Sequence, residues 1–137
     1  MNTPSLLYTV NGEEPRILGK LCTGFSLQHF YEKGQIADQV NVAYLKFQEQ
    51  WYRLYFECAT VFWRTSDAPV MAENSGLAFG LLLNDLSGMS AVVGQTLESL
   101  NYAATAAGDV EVFLMFSNGG CLHFAHSAEA DSTRVTA

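Results

Sequence analysis

The sequence predicts a mainly β domain, a mostly antiparallel sheet built from two hairpin-containing halves, with an α+β fold as the alternative. Segments rich in β-branched and aromatic residues recur along the chain, as is typical of strands. Gly, Asn and Pro residues separate these segments, as turns would. With 137 residues, 49% of them hydrophobic and 15% charged, the chain suits a single domain over residues 1–137 with its own core.

The first half of the chain carries a series of predicted strands. They cover residues 5–10, 17–31, 40–47, 51–57 and 61–64. Residues 17–31 fit neither the strand period nor the helix period cleanly, so a helix is the alternative there. Residues 32–39 are predicted as a loop. The short QEQ segment joins the strands on either side of it, 40–47 and 51–57, as a hairpin loop would.

The second half of the chain is predicted to start with a loop and to continue with strands. The loop covers residues 66–76, and the strands cover 76–83, 95–103, 110–116 and 121–127. Asp85 is expected to cap one short helix near residues 85–93. The Asn118-Gly119 pair predicts a tight hairpin turn. Residues 127–137 are predicted as a tail, either poorly ordered or a short edge strand.

Two stretches, residues 17–65 and 92–126, share an order of features that suggests an internal duplication. Each reads as a glycine-led strand followed by a hairpin. The leading glycines, Gly19 and Gly94, lie 75 residues apart, whereas the corresponding hairpin phenylalanines lie only 69 apart. The second copy would therefore need a shorter internal loop. Two such units would bury their apolar faces against each other.

Charge is distributed unevenly along the chain. Residues 1–64 carry six basic and six acidic side chains, whereas residues 65–137 carry one basic and eight acidic ones, which gives the net charge of −7. A negative surface repels phosphate groups, so neither nucleic acid nor an anionic membrane is expected as a partner. The charge is explained either by attraction of a basic partner or by solubility alone.

The cellular compartment of the protein is predicted from the start of the chain, its longest apolar run and its cysteines. The start lacks the basic and apolar regions of a secretory signal, and the run at 76–83 is far shorter than the roughly 20 residues of a membrane span. Cys22, Cys58 and Cys121 are odd in number and form no C-x-x-C pair, which argues against disulfides and structural zinc. A cytoplasmic protein with reduced thiols is therefore expected.

One composite pattern resembles a known group of proteins. It reads apolar-apolar-Gly-x-x-apolar and later apolar-x-apolar-x-Phe-x-Asn-Gly-x-x-Leu-x-Phe within residues 92–126, with related features at 17–65. Together with the stretch WYRLYFECATVFWR at 51–64, it resembles small bacterial domains of unknown function found among the immunity proteins of polymorphic toxin systems. The resemblance implies a cytosolic, non-catalytic inhibitor that binds a toxin, for example a basic nuclease. It assigns no individual residue.

The strand at residues 51–57 supplies the main candidates for partner binding. Strict alternation places four of its side chains on one face, and that face combines Trp, Tyr and Arg, the residues that dominate binding hot spots. Its alternative interpretation is an arginine stacked between cross-strand aromatics on a wet surface. Two carboxylates on one strand face of the acidic half are added to the set. The candidates are Trp51, Arg53, Tyr55, Glu57, Asp109 and Glu111.

A small-ligand-binding or hydrolytic β domain and a structural homodimer are the alternatives to a protein-binding domain. Cys121, His123 and His126 are the densest group of potential ligands, but strand alternation places only the first two on one face. A site there would need a distant residue such as His29. No nucleophile elbow and no Gly-rich phosphate loop occurs in the sequence. We therefore predict a non-enzymatic protein without a cofactor or a metal. A homodimer would close an exposed sheet edge with a second copy.

Overall fold

The computed structural model describes residues 7–70 and 79–137, and these residues form ten strands arranged in two sheets. The strands are β1 (Thr9–Asn11), β2 (Cys22–Glu32), β3 (Gln35–Phe47), β4 (Gln50–Glu57), β5 (Thr60–Ser66), β6 (Phe79–Asp85), β7 (Leu97–Ala104), β8 (Val110–Phe116), β9 (Cys121–Ser127) and β10 (Ser132–Thr136). The mainly β prediction is confirmed. Because the described residues include no regular helix, the α+β alternative is wrong.

The larger sheet contains six strands in the order β1-β5-β4-β3-β2-β6. β2 to β5 follow one another as antiparallel hairpins, β6 pairs antiparallel with β2, and β1 lies parallel to β5. The predicted hairpin around QEQ is confirmed, because β3 and β4 pair from Ala43↔Leu54 to Phe47↔Gln50. The helix alternative for residues 17–31 is wrong, since most of that range lies in β2.

Residues 32–39, which the sequence predicts as a loop, belong to a long hairpin. β2 ends at Glu32 and β3 begins at Gln35. Lys33 and Gly34 between them have φ values of 53° and 73°, the left-handed values that a tight two-residue hairpin turn requires. The start of β3 is exposed, so it lacks the apolar alternation by which a half-buried strand is recognised in a sequence.

The smaller sheet contains four antiparallel strands in the order β10-β9-β8-β7. The Asn118-Gly119 pair lies in the turn between β8 and β9, where Gly119 has a φ of 85°. The side-chain oxygen of Asn118 accepts a hydrogen bond of 2.9 Å from the N–H of Gly120 and closes this turn. Within residues 127–137, β10 forms the outer strand of the sheet.

The two sheets pack against each other through their inner faces and share one hydrophobic core. The rings of Phe56 on β4 and Phe124 on β9 lie 6.2 Å apart across the core. Trp63 Nε1 on β5 donates a hydrogen bond of 2.9 Å to the hydroxyl of Tyr102 on β7. Alternation in the strands therefore produces a β-sandwich, in which each sheet has one buried face and one face toward solvent.

The helix predicted near residues 85–93 is wrong. Asp85 ends β6, and its Oδ1 accepts a hydrogen bond of 2.9 Å from the N–H of Ser87. Turns follow, and only the bond from Val93 N to Met89 O, 2.8 Å long, has the four-residue spacing of an α-helix there. So short a segment gains too few helical bonds to offset the cost of nucleation. Packing against the core then decides its path.

The structure does not support an internal duplication of residues 17–65 and 92–126. The first range contributes to a sheet of six strands and the second to a sheet of four. β2 and β3 contain 11 and 13 residues, whereas β7 and β8 contain 8 and 7. The shared order of glycine, strand and hairpin is therefore what local turn chemistry requires of any hairpin.

Candidate functional site

Four of the candidate residues lie together on the outer face of the larger sheet. Along β4, Leu54 and Phe56 are buried in the core, and the side chains between them point the other way. Trp51, Arg53 and Tyr55 are half-buried there, and Glu57 is exposed at the end of the strand. The alternation in the sequence thus predicts the shared face of this strand correctly.

Neighbouring strands extend this surface, because residues paired across antiparallel strands share one face. Tyr44 and Lys46 on β3 pair with Arg53 and Trp51. On the other side, Arg64 and Phe62 on β5 pair with Arg53 and Tyr55. We call this surface the aromatic–cationic face. Its residues are Tyr44, Lys46, Trp51, Arg53, Tyr55, Phe62 and Arg64, all of them half-buried.

Stacked rings and an anchored guanidinium order one side of the aromatic–cationic face. The rings of Tyr55 and Phe62 are parallel within 2° and their centroids lie 4.9 Å apart. The guanidinium carbon of Arg64 lies 5.7 Å from the centroid of Phe62, within reach of a cation–π interaction. Arg64 also donates hydrogen bonds of 2.8 Å and 2.6 Å to the backbone and side-chain oxygens of Asn11. These contacts hold Arg64 in place before any partner arrives.

Gly24 on β2 provides the space in which Trp51 lies across the sheet. A Cβ atom at position 24 would stand 2.8 Å from the indole Cη2 and 3.2 Å from the Cβ of Lys46. Such a contact is too short for carbon atoms, so the absence of a side chain allows the indole to lie close to the backbone of β2. Only the strand register brings Gly24, Phe62 and Arg64 next to Trp51 and Tyr55, so alternation along the sequence does not identify these three residues as part of the site.

Arg53 lies at the centre of the face beside a surface groove. The groove has a volume of about 410 Å³ and runs between Arg53, Tyr44 and residues 65–70, which form the end of β5 and the segment after it. Among the described residues, no acceptor bonds the buried Nε of Arg53. A guanidinium presents several donors in a fixed fork that matches a carboxylate. Arg53 is therefore suited to bind a carboxylate that enters the groove.

The charge of the face is positive at its centre. Lys46, Arg53 and Arg64 supply three cations, whereas Glu57 lies at the end of β4 and Asp67 is one of the residues that line the groove. The face thus differs in sign from the chain as a whole, which has a net charge of −7. A partner with exposed carboxylates is electrostatically complementary to it.

The two remaining candidates, Asp109 and Glu111, lie elsewhere. β8 buries Val110 and Val112 in the core, so Glu111 points from the outer face of the smaller sheet, on the opposite side of the sandwich from Trp51. Asp109 Oδ1 accepts a hydrogen bond of 2.9 Å from the N–H of Ala128, a structural role. The six candidates therefore form two separate surfaces instead of one.

Glu111 belongs to a small polar cluster on the outer face of the smaller sheet. Its Oε1 lies 3.1 Å from Nε2 of His123. The imidazole of His123 stacks on Phe113 at 4.4 Å with an angle of 5° between the rings. Cys121 lies two positions before His123 on β9 and pairs with Met115 on β8, so its side chain shares this outer face.

The histidines and cysteines that the ligand-binding alternative combines are separated by the fold. His29 is buried on the inner face of β2, and His126 is buried on the inner face of β9, whereas His123 points outward. Within residues 7–70 and 79–137, no group of three or more His, Cys, Asp or Glu side chains could hold a metal ion. Burial raises the pKa of the Cys22 thiol to about 11, which disfavours the reactive thiolate.

Comparisons with known proteins return no relative of this chain. No protein-family model, no curated protein and no solved structure matches it. In the part of the chain that the structure describes, no helix has the length and apolar character needed to span a membrane.

Proposed function

We propose that this protein is a non-enzymatic protein-binding domain, a cytoplasmic immunity-type inhibitor that neutralises a bacterial toxin by binding to it. The resemblance of the hairpin pattern to immunity proteins supports the class of partner. The aromatic–cationic face supports the binding role, because it gathers aromatic and basic side chains that are only half-buried. Tyr, Trp and Arg in such clusters carry most of the binding energy of protein interfaces.

The order of the face before binding supports this role further. Tyr55 stacks on Phe62, Trp51 lies close to Gly24, and Arg64 is bonded to Asn11. Each side chain fixed in advance saves about 0.5–1.5 kcal/mol of ordering cost when a partner binds. A partner that docks on this face therefore binds with a small loss of side-chain conformational entropy.

The charges of the two outer faces lead to opposite expectations for the partner. The aromatic–cationic face, with Lys46, Arg53 and Arg64, favours a toxin surface that exposes carboxylates. A basic toxin domain would instead favour the outer face of the smaller sheet, where Glu111 lies. We propose the first arrangement, because only the aromatic–cationic face combines charge with several aromatic anchors.

Affinity capture with matched variants tests the proposal. Wild-type protein and the variants Arg53→Ala and Glu111→Ala are immobilised and exposed to lysate of the source cell, and bound proteins are identified at low and high salt. We expect one acidic protein to be captured by wild type and by Glu111→Ala and to be lost from Arg53→Ala. Higher salt should weaken its capture, because salt screens exposed charge pairs.

The opposite pattern would contradict the proposal. A basic protein retained by Arg53→Ala and lost from Glu111→Ala would assign binding to the smaller sheet. Thermal unfolding of both variants is the control for folding, and we expect their midpoints to stay close to that of wild type because both side chains lie on the outer faces of the sheets, away from the shared core.

A further inference from the structure

Each sheet of the sandwich ends in two edge strands, and three of the four edges carry a feature that disfavours pairing with another chain. β1 has only three residues. β7 contains a β-bulge between Leu97 and Ser99 and the charge of Glu98. The backbone N–H groups of Thr133 and Val135 on β10 are bonded to side chains of β3. Short length, bulges, charges and covering groups are the ways in which proteins protect sheet edges.

The fourth edge, β6, has none of these protecting features. It contains seven residues, FGLLLND, and pairs with β2 without a shift in register. Its single charge, Asp85, lies at its end, and the leucines at 81–83 in its middle are half-buried. Among the described residues, β2 is the only strand that pairs with β6. The other side of this regular apolar strand is therefore a template for pairing with another strand.

The hydrogen-bond pattern shows which backbone groups of β6 point away from β2. The N–H of Leu86, directly after β6, donates a hydrogen bond of 2.8 Å to the carbonyl oxygen of Phe25 on β2. In an antiparallel ladder, every second residue bonds to the neighbouring strand, so Gly80, Leu82 and Asn84 bond to β2. The N–H and C=O groups of the alternate residues point outward, and within residues 7–70 and 79–137 no backbone hydrogen bond from outside the ladder reaches them. These residues are Phe79, Leu81, Leu83 and Asp85.

We propose that β6 pairs antiparallel with β6 of a second copy of this chain, so that the two larger sheets form one continuous sheet across a twofold axis at Leu82. All the outward-pointing residues of β6 then exchange backbone hydrogen bonds with the second copy. Leu82 lies opposite Leu82 of the second copy, and Leu81 lies opposite Leu83. The contact uses the edge of β6, whereas the aromatic–cationic face is formed by β3, β4 and β5, so the dimer is independent of the proposed function.

The sequence and the charge of β6 favour a second copy as the occupant of this edge. The three leucines are symmetric about the axis, so each of them meets a leucine in a cross-strand pair. Asp85 lies opposite Phe79 of the second copy, which keeps the two Asp85 carboxylates about 20 Å apart, beyond the roughly 8 Å over which charges interact at physiological salt. Glu32, which pairs with Phe79, lies two strand spacings, about 10 Å, from Asp85 of the second copy. The charges near this edge therefore do not oppose the pairing.

The mass of the full chain in solution tests the pairing. In sedimentation equilibrium at micromolar concentrations, we expect wild type to have twice the mass of one chain and Leu83→Pro to have the mass of one chain. Proline removes the N–H at position 83, which points away from β2, so the hydrogen bonds between β2 and β6 remain. Wild type with the mass of one chain, or a folded Leu83→Pro with twice that mass, would overturn the inference.

Engineered cysteines test the register, and they decide the matter even if Leu83→Pro does not fold. Leu82→Cys places two thiols opposite each other at the axis, with Cα atoms about 4.5–5.5 Å apart, a distance that a disulfide can bridge. Asn84→Cys is the matched control, because the two copies of position 84 are offset by about 14 Å along the strands. Both substitutions are made together with Cys58→Ser, since Cys58 is exposed. Under mild oxidation we expect a disulfide between the two copies of position 82, identified by peptide mass spectrometry, and none at position 84. No disulfide at position 82, or equal cross-linking at both positions, would refute the proposed pairing.

Discussion

At the scale of single residues, His126 shows how burial controls charge in this core. It is 4% exposed and stacks at 5.9 Å on Phe56. Its Nδ1 lies 2.9 Å from the hydroxyl of Thr133, whereas its Nε2 has no hydrogen-bond partner among the described residues. Burial lowers its pKa below the ordinary value of 6.5. The carboxylates that act in the opposite direction are Asp131, Asp38, Asp109 and Glu57.

Stability should therefore decrease as the pH falls through 6.5. The unfolded chain binds a proton at His126 in this range and the folded chain does not, so protonation favours unfolding. The loss is at most about 1.4 kcal/mol per pH unit and ends at the lower pKa of the folded protein. Thermal midpoints between pH 7.5 and 5.5 measure it. We expect a flatter profile for His126→Gln, and identical profiles for variant and wild type would contradict this assignment.

At the scale of elements, β10 is attached to the larger sheet by side chains of β3. Asp38 Oδ1 accepts a hydrogen bond of 2.8 Å from the N–H of Thr133, and Gln39 Oε1 accepts one of 3.1 Å from the N–H of Val135. These two acceptors join the sheets at one side of the sandwich. They also protect backbone groups of an edge strand that would otherwise be unpaired.

Removing one of these acceptors should destabilise the attachment of β10. Asp38→Ala leaves the N–H of Thr133 without its partner, and a buried unpaired donor costs about 1–3 kcal/mol. Asp38→Asn keeps an oxygen at the same place, so its free energy of unfolding should lie closer to that of wild type. Urea unfolding measures both variants. Equal destabilisation by the two substitutions would show that the charge of Asp38, and not its acceptor, matters.

The strands illustrate which elements a sequence reveals. β3, β4, β8 and β9 are half-buried and alternate cleanly, so their pattern predicts them and the hairpins that connect them. The exposed start of β3 lacks this pattern and is read as a loop. Asp85 has the chemistry of a helix cap, yet the same chemistry forms a turn when the segment after it is too short to gain enough helical bonds.

At the scale of the whole molecule, the fold decides which candidate residues share a surface. It places some of them on opposite faces of the sandwich, and it brings residues that are distant in sequence onto the same face. Trp51, Arg53 and Tyr55 share a face as predicted from alternation, but Glu111 lies on the opposite side. Arg64 and Gly24 reach the same surface through strand register. Strand order and register depend on contacts between distant segments, and a single sequence does not specify them through local patterns.

The separation of charge between the outer faces has a consequence for binding. From the sequence alone, the acidic composition of the second half of the chain suggests a basic partner. The fold instead places three cations beside the aromatic anchors. In the proposed arrangement, the aromatic side chains and the cations would therefore contact a partner through one surface, the aromatic–cationic face.

The most direct test of this account is calorimetric titration of the captured partner with wild type, Trp51→Ala and Glu111→Ala. Trp51 lies on the aromatic–cationic face, where it pairs with Lys46, and truncation of a hot-spot residue costs about 2 kcal/mol or more. We expect Trp51→Ala to raise Kd about 30-fold and Glu111→Ala to leave Kd close to the wild-type value. An unchanged Kd for Trp51→Ala, or a large increase for Glu111→Ala, would contradict the assignment of binding to this face.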